Sequence, residues 1–347
     1  MREDEAARYI RTLCAELVQR KDYLEGAFVS TIYFGGGTPS RLTPKQIGHV
    51  KDCIESTYGL DSLEEFTVEC NPDDVNYGYV SALRSIGVNR ISMGVQTFND
   101  DMLRFLGRRH TASQSVTAVD VCHRSGIDNV SIDLMYGLPG QAITAYQQDL
   151  EMATSLDVQH ISSYCLSYEA GSQLERLRND NRVIPADDDT CAAMYDRMCA
   201  HLHKAGFVHY EISNFCKPGY HSRHNGSYWD GTPYLGVGAG AHSYNCRSRQ
   251  WNPDDLDAYM DGMEKGCLKP ETEHLTTVDL YNERLMLRLR TLQGLNLSSL
   301  SSIDRLSVLQ TSDKLISNGS LVLDNNCLRI PESRMFISDS IISSLFL

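Results

Sequence analysis

A chain of 347 residues, 41% hydrophobic and 22% charged, is long enough to bury one large core or two smaller ones. Its net charge of −13 argues against a nucleic-acid footprint and against an anionic membrane surface. No apolar run approaches the roughly 20 residues of a membrane span, and MREDEAARYI lacks the apolar stretch of a signal peptide, so the chain reads as cytoplasmic. The 11 cysteines are odd in number and irregularly spaced, which predicts free thiols. No C-x-x-C or C-x-x-x-C pair occurs. Cys191 and Cys199 share one face of a predicted helix and read as small buried residues.

Taken in chain order, residues 2–25 predict a helix ending near Gly26. Thr31–Phe34 predicts a strand that stops at Gly35, Gly36 and Gly37, followed by Thr38, Pro39 and Ser40. Thr43-Pro44-Lys45-Gln46 is a capping box with proline at the first helical position, opening a helix to about Tyr58. Strands follow at Phe66–Cys70, Arg90–Val95, Asn129–Tyr136 and His160–Leu166. Between them lie helical patterns at 77–85, 99–106, 113–125 and 142–155. Consecutive βα units with no sign of a sheet reversal predict an α/β fold with a parallel sheet, and favour a barrel or part-barrel over the alternative of a doubly wound sheet. After residue 186 the pattern changes. A helix over 188–205 and a strand over 207–212 precede an irregular stretch, 213–250, rich in glycine, tyrosine and histidine and too long for an idle loop. Helices at 278–292 and 306–318, a hairpin across Asp324-Asn325-Asn326 and a last helix at 337–346 predict a small winged-helix-like domain.

Residues able to carry chemistry gather just after the strands. Three glycines at a strand end let a ligand reach backbone N–H and C=O groups with no Cβ in the way. The run is not a Walker loop, for no Gly-Lys-Ser/Thr follows, nor a dinucleotide fingerprint. Glu69, Gln96, Arg108 and Asp133 complete a polar ring at neighbouring strand ends. Asp133, inside the apolar strand SIDLMYG, either is paired structurally or faces a ligand. A ligand with ammonium, carboxylate and ribose hydroxyl groups suits such a ring. Further on, His224-Asn225-Gly226-Ser227-Tyr228-Trp229 places an imidazole, able to ligate haem iron, beside two rings able to cover a porphyrin face. The alternative is a histidine–aromatic corner that only packs, with His221 and His242 as other possible ligands.

The order and spacing of FGGGTPS, VECNPDDV, NRISMGVQTF, LGRRH, SIDLMYGLPGQ, YEISNF, KPG, RHNGSYW and GVGAGAHS resemble the coproporphyrinogen-oxidase-like branch of the radical SAM proteins, and within it the haem chaperones. The resemblance covers about residues 5–347. It implies a partial (β/α) barrel of the radical SAM type over 1–186, a barrel-completing and porphyrin- or haem-contacting segment over 187–275, and a C-terminal helical domain over 276–347. It assigns Gly36, Gly37 and Thr38 to the loop holding the amino-acid end of S-adenosylmethionine, and Glu69, Gln96, Arg108 and Asp133 to the same ligand. It assigns His224, Tyr228 and Trp229 to haem. The implied function is haem binding and delivery to an acceptor protein. The alternatives are oxidative decarboxylation of coproporphyrinogen III and a cluster-free porphyrin-binding module.

Members of this branch begin with a barrel strand and a C-x-x-x-C-x-x-C loop whose three thiolates hold a 4Fe–4S cluster. Here MREDEAARYIRTLCAEL aligns with the helix that follows that loop, so no cluster ligand lies in this chain; Cys14 and Cys70 do not replace them. The expectation is that the natural start lies upstream, since a missing first strand leaves a barrel edge unpaired. Binding of S-adenosylmethionine through the loop alone is expected to be weak.

Overall fold

The computed structural model describes residues 3–347. Its main sheet has seven strands: β1 (Thr31–Phe34), β2 (Glu65–Cys70), β3 (Arg90–Gln96), β4 (Asn129–Tyr136), β5 (His160–Cys165), β6 (Val208–Glu211) and β7 (Asn214–Cys216), in the order β1-β2-β3-β4-β5-β7-β6. Strands β1 to β5 are parallel, joined by helices such as Pro44–Tyr58, Tyr77–Ser85, Ala112–Arg124 and Ile143–Ser155. This is an α/β part-barrel. The run of parallel pairing ends at β5, where β7 enters antiparallel and β6 pairs with it across a short turn.

The five parallel strands alternate with a period of two, and the register turns that alternation into two faces. Ile32 sits beside Phe66, Val68 beside Ile91, Ile91 beside Val130, and Ile132 beside Ile161. All of these are buried against the helices, together with Ile47, Val80, Leu83 and Leu150. The intervening positions (Glu69, Ser92, Gly94, Asp133, Ser162) form the other face. Parallel strands covered by helices are usually apolar on both sides. Here the inner side is polar, a costly arrangement unless each group is partnered or faces a ligand.

A second core joins helix Glu3–Gln19 to helices Pro44–Tyr58 and Leu256–Glu264 through Ile10, Leu13, Leu17, Val50, Tyr259 and Met260. At its centre Glu16 is 0% exposed. It accepts hydrogen bonds from Gly238 N (2.9 Å), Asn252 Nδ2 (2.8 Å) and Tyr259 Oη (2.7 Å), and pairs with Arg20 at 3.3 Å. One buried carboxylate thus fastens the chain's first helix to the segment 238–259.

The stretch 213–250 is more regular than its composition predicts. It holds β7, a helix at Arg223–Asp230 and strands β8 (His242–Tyr244) and β9 (Ser248–Trp251). With β10 (Glu271–His274) the last two form an antiparallel three-stranded sheet. Glycines and histidines hid these elements: each is short and is fixed by contacts remote in sequence, not by its own periodicity. The C-terminal region has helices Thr277–Leu289 and Ser302–Ser317 and a small sheet of β11 (Leu295–Asn296), β12 (Val322–Asp324) and β13 (Cys327–Arg329), in which β12 and β13 form the expected hairpin. The first helix ends at Gln19, shorter than its pattern implies, with turns to Gly26. Among the described residues no helix is long and apolar enough to cross a membrane.

Candidate functional site

Strand ends β1 to β4 surround a cavity of about 170 Å³ lined by Gly37, Thr38, Glu69, Asn71, Ser92, Gly94, Gln96, Arg108 and Asp133. Six of the seven residues expected around one ligand therefore meet there; Gly36 lies beside them, on the wall of a second cavity. Glu69 organises the glycine loop. Its Oε1 accepts from Tyr33 Oη at 2.7 Å and its Oε2 from Gly36 N at 3.1 Å. Gly35 must be glycine for space: a Cβ there would lie 2.4 Å from Tyr33 Cε1 and 3.0 Å from Glu69 Oε1. Gly36 and Gly37 adopt φ of 76° and 62°, the left-handed region open to glycine at little cost.

Gln96 is the residue that breaks the strand rule. Its φ is 69° at an irregularity in the β3–β4 pairing, and its side chain folds back over Gly94, where a Cβ would meet Nε2 at 2.9 Å. Strain of this kind in a non-glycine residue is tolerated where surrounding structure fixes it, commonly at ligand sites. Asp133 has its carboxyl pushed up to about 6, first by burial and then by the nearby Glu69 charge, against hydrogen bonds from Ser162 and Ser92 and the Arg90 charge. Burial lowers the Arg108 guanidinium pKa, and Asp133 opposes that. The ring thus offers carboxylates to an ammonium group, a guanidinium to a carboxylate, and amides and hydroxyls to sugar hydroxyls.

A larger cavity of about 1590 Å³ opens beside it, walled by helix Glu3–Gln19, the free edge of β1, helix Arg223–Asp230 and the segment 232–242. The two cavities share Gly37, Thr38, Pro39 and Asn71, so they adjoin. His224, Tyr228 and His242 line the larger one. His224 stacks on Tyr33 with ring centroids 4.7 Å apart and planes 16° apart. Its Nδ1 is 2.9 Å from Thr31 Oγ1 and its Nε2 3.0 Å from Tyr228 Oη. Burial lowers the His224 pKa to about 4, opposed by Glu65, so the ring is neutral at pH 7. Both nitrogens are engaged, and a ligand reaching Nε2 must displace the Tyr228 hydroxyl.

The helix carrying His224 is held by Glu65, a buried carboxylate at the start of β2. Glu65 accepts from Arg223 N at 2.8 Å and His224 N at 3.1 Å, the unsatisfied donors of the helix's first turn. Trp229 lies half-buried and is not among the residues lining the cavity. His221 is exposed and packs edge-on to Tyr210; His242 stacks on Trp251. Attention to strand ends missed Ser92, Gly94, Glu65 and Arg90. The signal that finds them is the alternation in EFTVEC and RISMGVQ, where every second residue is polar or glycine inside a sheet that helices cover.

Fold and site together define a part-barrel of the radical SAM class. The Radical SAM superfamily model matches residues 9–153 and the HemN C-terminal domain model residues 275–336. In structure the chain is similar to coproporphyrinogen III oxidase (HemN) from Escherichia coli, a radical SAM enzyme, with a TM-score of 0.84 and 20% identity, covering 100% of this chain and 84% of that one. In sequence it is 36% identical over 290 residues to heme chaperone HemW of Bacillus subtilis, covering 83% of this chain and 76% of that protein. It is 30% identical over 339 residues to heme chaperone HemW of Mycobacterium tuberculosis, covering 97% and 86%. The chain belongs to the heme chaperone HemW family.

Radical SAM proteins carry S-adenosylmethionine and an iron–sulfur cluster. The polar ring fits the first: a glycine cradle that a Cβ would fill, two carboxylates, a guanidinium and an amide converge on one space. The residues present do not fit the second, because among the described residues no three cysteines come together as ligands.

Proposed function

We propose that this chain binds haem in the larger cavity and S-adenosylmethionine at the polar ring, and that it passes haem to an acceptor protein in the cytoplasm. The observation that carries the haem reading is His224: a neutral imidazole on the wall of a cavity of about 1590 Å³, in a chain whose relatives are named heme chaperones. An iron ligand must present a lone pair, and burial keeps one on this ring at pH 7. Leu13, Leu17, Val29 and Val237 give the cavity an apolar lining suited to a porphyrin face, while Tyr228, His242 and Arg41 supply polar groups. Tyr228 is 38% exposed, on the solvent side of the His224 ring that its hydroxyl bonds.

Gly36, Gly37 and Thr38 would hold the amino-acid end of S-adenosylmethionine, Glu69 its ammonium group, and Gln96, Arg108 and Asp133 its carboxylate and ribose hydroxyls. When bound to a reduced cluster that group supplies radical chemistry; this chain's own residues bind and orient it. The two cavities share Gly37, Thr38, Pro39 and Asn71 in their linings, so the two ligands would lie near each other. The likeness to the Escherichia coli oxidase is one of fold and assigns no decarboxylation here.

The test is titration of the purified chain with haem. The proposal expects saturable uptake of one haem per chain with a shifted Soret band, and transfer to an apo-haem protein on mixing. A spectrum that stays that of free haem at saturating protein overturns it.

A further inference from the structure

Away from both cavities, where the barrel meets the C-terminal region, three elements bring four metal-capable side chains together. Helix Asp188–Lys204 supplies Cys199 and His203, four residues apart and so on one helix face. Strand β6 supplies His209, and the short 3-10 turn Glu332–Ile337 supplies Glu332. One donor atom each from Cys199, His209 and Glu332 lies within 4.8 Å of the others. Glu332 Oε1 is 2.6 Å from His209 Nδ1 and 3.2 Å from His203 Nε2. In a tetrahedral zinc site, donors at about 2.0–2.3 Å from the ion stand roughly 3.3–3.8 Å apart; Cys199, His209 and Glu332 lie close to that spacing, and His203 stands beside Glu332 as the fourth donor.

We propose that Cys199, His203, His209 and Glu332 form a site for a divalent transition metal of the zinc class, which clasps the C-terminal turn to the barrel. The donor set is one thiol, two imidazoles and one carboxylate, each a donor type that zinc takes. A hydrogen-bonded tether alone accounts for Glu332 and one histidine; it leaves the second histidine sharing the same carboxylate oxygen. His209 is 3% exposed and its Nε2 has no hydrogen-bond partner, so Nδ1 carries the ring's only polar hydrogen bond. Phe215 stacks on that ring at 4.1 Å and Tyr195 meets its edge, which fixes its orientation before any ion arrives. Binding an ion deprotonates the Cys199 thiol, whose pKa burial has raised to about 12, and releases that proton to solvent. Exposure of His203 and Glu332 leaves an entry path.

The experiment is titration of the full chain with Co²⁺, then Zn²⁺, followed by absorption and thermal melting. The expected result is one Co²⁺ per chain with the visible bands of a tetrahedral ion and a near-ultraviolet thiolate-to-cobalt band, displaced by Zn²⁺, and a melting temperature raised by Zn²⁺. Cys199→Ser abolishes the thiolate band and the Zn²⁺-dependent melting shift, while Cys53→Ser, at a cysteine remote from the site, retains both. Glu332→Gln weakens Co²⁺ binding by on the order of 100-fold. Absence of a thiolate–cobalt band in the unaltered chain overturns the proposal without reliance on any variant, and so does a band that survives in Cys199→Ser.

Discussion

The small polar ring and the large cavity beside it are built in opposite ways. The ring rests on four neighbouring strands whose register is fixed by backbone pairing, so Glu69, Ser92 and Asp133 are placed as soon as the sheet forms. The large cavity draws its walls from residues 3–17, 27–42 and 224–242, segments with little shared secondary structure. Two buried carboxylates hold those walls in place, Glu16 for the segment 238–259 and Glu65 for the helix bearing His224. A site on a continuous sheet is rigid by construction. A site assembled from distant segments depends on a few tethers, and that suits the release that the proposed haem transfer requires.

The sharpest way to break this contrast is to cut a tether. Glu16→Ala removes the acceptor of Gly238 N and Tyr259 Oη and one acceptor each of Arg20 and Asn252 in the second core, and is expected to cost about 3 kcal/mol in denaturant unfolding. A loss under about 1 kcal/mol would mean the carboxylate is no tether. Glu65→Ala removes the acceptor for two helix N–H groups and is expected to cost about 2–3 kcal/mol. It should also weaken haem uptake while leaving S-adenosylmethionine binding unchanged within about twofold, a split that calorimetry of each ligand reads directly.

Acidity separates the two regions further. The Asp133 carboxyl, at about 6, lies above its ordinary 3.8, so the folded chain holds a proton there that the unfolded chain releases. Its contribution to stability is therefore fully present below about 4 and lost as pH rises through 6, a swing of up to about 3 kcal/mol. His224, at about 4, lies below its ordinary 6.5, and its contribution runs the other way, lost as pH falls from 6.5 towards 4. Unfolding curves of Asp133→Asn and His224→Asn across pH 4–7 should differ from the unaltered chain by slopes of opposite sign. The smallest effect concerns the ring's ligand: Glu69→Gln should weaken S-adenosylmethionine by about tenfold, the worth of one charge-assisted hydrogen bond, with haem uptake unaffected.

How much of this was legible in the sequence follows the same divide. The parallel strands, the capping box at Thr43 and the hairpin around Asp324 announce themselves through local chemistry, and their positions fall within a residue or two of the structure. The ring was legible because strand ends in an α/β sheet share one face. The larger cavity was not, because nothing local in HNGSYW reveals that Thr31 meets Nδ1 of His224, or that Glu65 anchors its helix. Cys191 lies in the main core and Cys199 packs half-buried against it, as their helix-face spacing implies, but only the tertiary fold sets Cys199 beside His209 and Glu332.

The measurement that bears most directly on the account is haem titration of His224→Ala beside His242→Ala and the unaltered chain, followed at the Soret band. If His224 supplies the iron ligand, His224→Ala loses the shifted band and weakens uptake at least about tenfold, while His242→Ala keeps both. Unchanged band position and affinity in His224→Ala would contradict the assignment.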